Sequence, residues 1–67
     1  MMPYSEVIRQ LMIEKGLSQE KLARILHVNQ TTVGQWLRGK KKPSYDNILA
    51  FYTEFGITPD ELFGVAK

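Results

Sequence analysis

Residues 34–44 of the 67-residue sequence, GQWLRGKKKPS, hold two glycines five apart, one arginine and three consecutive lysines. Gly34, Gly39 and Lys40 satisfy most of the pattern G-x-x-x-x-G-K-[ST], whose backbone amides cradle nucleotide phosphates. Lys41 stands where the magnesium-binding hydroxyl of that loop belongs. Just upstream, Gln30, Thr31 and Gln35 carry the amides and hydroxyl that pair with base edges. The chemistry on offer is phosphate contact and hydrogen bonding. The elements that hold these residues decide whether the phosphates belong to a nucleotide or to a polymer.

Covalent and metal chemistry have little to work with. The chain contains no cysteine, so neither a disulfide nor a thiolate zinc site is available. Its one histidine, His27, has no partner for a metal site or a catalytic triad. Ser5, Ser18 and Ser44 occupy turn or capping positions, and no carboxylate pair has a pocket-forming context. No enzyme activity, cofactor or metal is expected.

The net charge of +2 hides a strong asymmetry. Between Ser18 and Pro43, Lys21, Arg24, Arg38, Lys40, Lys41 and Lys42 face a single acid, Glu20. Between Ser44 and Ala66 there are only acids: Asp46, Glu54, Asp60 and Glu61. A lysine run alone is usually a solvated loop, but a basic segment of this size suits a polyanion.

Helix punctuation locates these residues. In Leu17-Ser18…Leu22, Val28-Asn29…Val33 and Ile57-Thr58…Leu62, a capping side chain follows one apolar residue and precedes another by four positions. Each pattern supplies a side-chain oxygen for orphan backbone N–H groups and an apolar staple across the first turn. Pro59 and Glu61 complete a capping box in the third, and Ser44 marks a further start. Gly16, Gly39 and Gly56 suit the left-handed residue beyond a helix end.

Helices are therefore predicted near 4–15, 19–26, 30–38, 45–55 and 59–64. The apolar spacing agrees: Tyr4, Ile8, Leu11 and Met12; Leu22, Ala23, Ile25 and Leu26; Ile48, Leu49, Phe51, Tyr52 and Phe55. No strand pattern, repeat or linker interrupts a single all-α domain over 1–67. Its stability is expected to be modest, on the order of 5 kcal/mol. No signal peptide is evident, and the longest apolar run, Ile48 to Tyr52, is far short of the roughly 20 residues of a membrane span. A cytoplasmic setting without membrane contact is expected.

A nucleotide-binding loop needs a strand before it and a helix starting at its lysine. Here Gly34 falls inside a predicted helix and Gly39 ends it, so the nucleotide reading fails. Only His27, Val28 and Asn29 separate the second helix from the third. So short a connection suits the steep crossing of a helix-turn-helix over about 18–38. Ala23 belongs at the closest approach of the two helices.

The segment GLSQEKLARILHVNQTTVGQWLRGKKKPS, followed by GITPDEL, resembles the helix-turn-helix of phage repressor and Cro-type regulators, the xenobiotic response element family. The resemblance runs from about Tyr4 to Gly64. It implies a compact, lambda-repressor-like bundle of five helices that binds double-stranded operator DNA, usually as a homodimer, and regulates transcription, here as a repressor. It also implies that Gln19 contacts a phosphate at the N-terminus of the second helix, where the helix dipole favours anions.

At about 100° per residue, Val33, Trp36 and Leu37 share one side of the third helix, while Thr31, Gly34, Gln35 and Arg38 share the other. Gln30, Thr31 and Gln35 are therefore the expected base readers. Gln19, Thr32, Arg38, Lys40 and Lys42 are the expected backbone contacts. Phe63 and Val65 are the expected dimer contacts.

The sequence departs from the family pattern at four positions. His27 replaces a turn glycine, Met12 and Leu37 replace a buried Arg–Glu pair, and Gly34 weakens the third helix by about 1 kcal/mol relative to alanine. The competing reading is a protein-interaction module of the same fold, acting through an antirepressor or partner regulator.

Overall fold

Residues 3–63 are described by a computed structural model. Five helices follow one another: α1 (Tyr4–Lys15), α2 (Gln19–Leu26), α3 (Gln30–Leu37), α4 (Tyr45–Phe55) and α5 (Pro59–Leu62). Helix α3 stops one residue short of the predicted end because Arg38 already serves as its C-cap. The predicted end of α5 at residue 64 lies outside the described residues.

Of the four starts expected from a capping side chain, three make the capping bond and one does not, and α1 starts after Pro3 with no side-chain cap. Ser18 Oγ accepts the Lys21 N–H at 3.1 Å. Thr58 and Glu61 cap each other, the Glu61 N–H donating to Thr58 Oγ1 at 3.2 Å and the Thr58 N–H to Glu61 Oε1 at 2.9 Å. Ser44 forms the same reciprocal pair with Asn47, a partner not apparent in the sequence pattern. Asn29 has extended N-cap backbone, but its side chain accepts no capping bond. Its own carbonyl accepts the Thr32 and Val33 N–H groups instead, at 3.0 and 3.4 Å.

The turn between α2 and α3 is set by His27, the only non-glycine residue with positive φ among those described, at φ 60° and ψ 44°. The Val28 N–H reaches the Ala23 carbonyl at 2.9 Å and the His27 N–H reaches Arg24 at 3.3 Å, closing a Schellman motif. The left-handed conformation costs an L-residue about 1–2 kcal/mol, partly offset because glycine orders a freer unfolded chain. His27→Gly is therefore expected to stabilise the domain by about 0.5–1 kcal/mol, raising the Tm by about 2–8 °C. A thermal melt that leaves the Tm unchanged would show that this turn holds its histidine without strain.

Ile8, Leu11, Leu22, Ala23, Leu26, Val33, Trp36, Phe51 and Leu62 form the buried core. Trp36 meets Phe51 with ring centroids 5.5 Å apart, which ties α3 to α4. Helix α3 packs on α2 and α1, and α4 packs on α2 and α5. Ala23 is buried on α2, at 4% exposure. Leu49 and Tyr52, counted with the apolar spacing of α4, are instead 46% and 56% exposed. The core takes only the Phe51 side of that helix.

Helix α3 is also held from α1. Met12 and Leu37, in place of an ion pair, are half-buried against the core. Arg9, three residues before Met12, donates from Nη2 to the Leu37 carbonyl at 3.0 Å. That carbonyl lies in the last turn of α3, where helical acceptors have no intrahelical partner and a cation is favoured.

Candidate nucleic-acid interface

With Val33 and Trp36 sunk in the core, the opposite side of α3 is turned outward. Gln30 and Thr31 are exposed on its first turn, and Arg38 is exposed at its end. Together with Gln19 and Gly34 they line an open recess of about 260 Å³. Gln19 reaches it from the first position of α2, held there by the Ser18 cap. Residues from two helices thus meet on one surface. A Cβ built on Gly34 would lie 3.4 Å from both Gln19 Oε1 and Arg38 Nη1, so the bare glycine forms the floor beneath these two side chains.

The remaining candidates divide. Gln35 is half-buried and does not line the recess; it sits on the flank of α3. Thr32 is half-buried on the side nearer the core. Lys40 and Lys42 are exposed on the loop that follows. Gly39 turns the chain at φ 72°, and the Lys40 and Lys41 N–H groups both reach the Gln35 carbonyl, at 2.9 and 3.4 Å. Pro43 is buried at the far end of the loop. The three lysines are therefore carried on backbone anchored at both ends, just beyond the C-terminus of α3.

Charge reinforces this geometry. Between Lys21 and Tyr45 no acidic residue occurs. Glu20, the one acid of the basic segment, meets Arg24 at 3.2 Å along α2. The lysines and Arg38 make no ion pair among the described residues. Phe63, expected at a dimer contact, is half-buried and meets Tyr4 edge-on at 6.1 Å, so part of its ring is committed to its own chain. Val65 lies outside the described residues.

Two features were not read from the sequence: the Arg9 tether on α3, and the return of Arg38 over Gly34. The first joins residues 28 positions apart, beyond any local pattern. The second had a signal, because a long side chain four residues after a glycine on a helix leans back over it. Among the described residues no group of three metal-ligating side chains gathers, and no helix is long and apolar enough to cross a membrane.

A family model for the helix-turn-helix matches residues 8–62. The HTH-type transcriptional activator BcrR of Enterococcus faecalis is 36% identical over 61 residues. That match covers 91% of this chain and 30% of the activator, so the chain spans under a third of that relative's length. The crystal structure of a transcriptional regulator from Listeria innocua superposes with a TM-score of 0.86 at 30% identity, covering 96% of this chain and 60% of that one. The restriction-modification controller protein C.AhdI from Aeromonas hydrophila superposes with a TM-score of 0.77 at 40% identity, covering 90% and 91% of the two chains. These relatives are regulators, not enzymes. With its five helices, its short α2–α3 turn and a family match over most of its length, the chain belongs to the helix-turn-helix family of the xenobiotic response element type.

Proposed function

We propose that this chain binds a specific double-stranded DNA site as the DNA-reading part of a transcription regulator, with α3 seated in the major groove. One observation carries the reading: the outer face of α3 and the N-terminus of α2 meet in one recess lined by no acidic side chain, and the anchored lysine loop leaves the end of α3 directly after it. Gln30, Thr31 and Gln35 take the base edges. Gln19, Thr32, Lys40 and Lys42 take the backbone; Arg38, expected among them from the sequence, is reassigned below on its geometry. Phosphate contacts of this kind fix register and orientation, and base-edge contacts supply the sequence preference.

Two copies are proposed to sit on half-sites about 10 base pairs apart, paired near Phe63 and Val65. Where such a site overlaps a promoter, occupancy excludes polymerase and the outcome is repression. A footprint of one copy on a non-palindromic site would overturn the paired arrangement.

The direct test is selection of bound duplexes from a random library, followed by titration of a selected duplex at several salt concentrations. The logarithm of affinity is expected to fall linearly with the logarithm of salt. Because each neutralised phosphate contributes about 0.9 to that slope, Lys40→Ala in a pair of subunits should flatten it by roughly two units. It should weaken selected and random duplexes alike. An unchanged slope returns the lysine loop to ordinary solvated surface, and recovery of no sequence family rejects the reading.

A further inference from the structure

We propose that Arg38 reads a guanine in the major groove and that the floor at Gly34, with room for little more than a Cβ beneath the guanidinium, keeps the space for it open; the inference deepens the DNA-binding reading above and rests on it. Arg38 is the C-cap of α3, with φ −92° and ψ 0°. Side chains on a helix lean toward its N-terminus, over the residue four positions earlier. For Arg38 that residue is Gly34. A Cβ at position 34 would stand 3.4 Å from Nη1 and 3.8 Å from Nη2 of the guanidinium. The guanidinium therefore lies along the outer face of α3 over bare backbone, and does not extend past the helix end toward the lysines. It shares its recess with Gln30 and Thr31, the residues best placed for base edges, and with Gln19 from α2 on the backbone side.

The other described arginines are engaged. Arg24 pairs with Glu20, and Arg9 donates to the Leu37 carbonyl. Arg38 has no hydrogen-bond or ion-pair partner among the described residues, so its guanidinium donors are uncommitted within the protein. The base whose major-groove edge offers two acceptors to such a fork is guanine, through O6 and N7. Lysine presents a single point charge and does not reproduce that geometry. A phosphate clamp, by contrast, belongs at the periphery, where Lys40 and Lys42 already stand.

The probe is a duplex selected by the wild-type chain, in which each guanine in turn is replaced by 7-deazaguanine to remove the N7 acceptor. Expected is one guanine per half-site whose replacement weakens wild-type binding about 5- to 150-fold. The same replacement should cost Arg38→Ala almost nothing, and Arg38→Lys should not restore the preference. Gly34→Leu, which fills the recess while keeping the arginine, should lose it as well. Circular dichroism melts establish that each variant is folded. The assignment is overturned if no guanine couples to position 38 while Arg38→Ala weakens selected and random duplexes equally and flattens the salt slope. Retention of the guanine preference by Gly34→Leu overturns the role of the glycine. A wild-type chain that selects no duplex rejects the DNA-binding reading itself, a result distinct from either.

Discussion

Trp36→Ala is expected to leave the domain largely unfolded at room temperature. The indole is 1% exposed and is the largest fully buried side chain, packed against Phe51 where α3 meets α4. Removing a buried tryptophan costs about 3–5 kcal/mol, from lost transfer energy and the cavity left behind. The ring pair with Phe51 adds about 0.5–1.5 kcal/mol. Against a total stability of about 3–10 kcal/mol for a chain this short, that loss is most or all of the margin. Far-UV circular dichroism should show a lost or strongly lowered thermal transition, with specific and random DNA binding failing together. Leu49→Ala is the control, since its side chain is 46% exposed and its loss should cost about 0.5 kcal/mol or less. A near-normal melt for Trp36→Ala would mean that α3 is not held through its tryptophan.

The helices were legible because the information that sets them is local. Ser18, Thr58 and the left-handed Gly16, Gly39 and Gly56 act within one turn of where they stand. His27 could be read for the same reason, since a left-handed turn residue is needed wherever two helices join this closely. Asn29 shows where the local signal misleads: it has the backbone of an N-cap, yet its side chain makes no capping bond. Leu49 and Tyr52 mislead differently. An apolar stripe on α4 wider than the core can cover leaves its far edge in solvent. What could not be read at all depends on three-dimensional meeting. Arg9 finds the Leu37 carbonyl only once α1 lies across α3. Gln19 reaches the floor at Gly34 only once α2 is docked.

The same division applies to the candidate site. The outward side of α3 follows from its periodicity, because Val33 and Trp36 commit the opposite side to the core. The grouping of Gln30, Thr31 and Arg38 with Gln19 does not follow from it, because Gln19 belongs to another helix. The half-burial of Gln35 likewise depends on neighbours that periodicity does not supply. The angular position of a residue on a helix is local; what stands beside it is not.

Gln30→Ala is expected to weaken the selected site by about 1–3 kcal/mol while leaving binding to random duplexes nearly unchanged. The argument is one of position and charge. Gln30 is the first residue of α3, exposed, and on the rim of the recess, so a recognition helix entering the groove by its N-terminal turn brings this amide to the base edges first. A glutamine amide pairs bidentately with adenine N6 and N7, and its removal alters no charge, so the salt slope should stay where it was. Gln35→Ala is expected to do the same at a neighbouring base pair, the loss again confined to the preferred sequence. Repeating the library selection with each variant gives the decisive readout. Gln30→Ala should relax the preference at one base pair and Gln35→Ala at another, with the rest of the site retained. Equal weakening of selected and random duplexes by either variant would make α3 a backbone clamp and remove that glutamine from the set of readers.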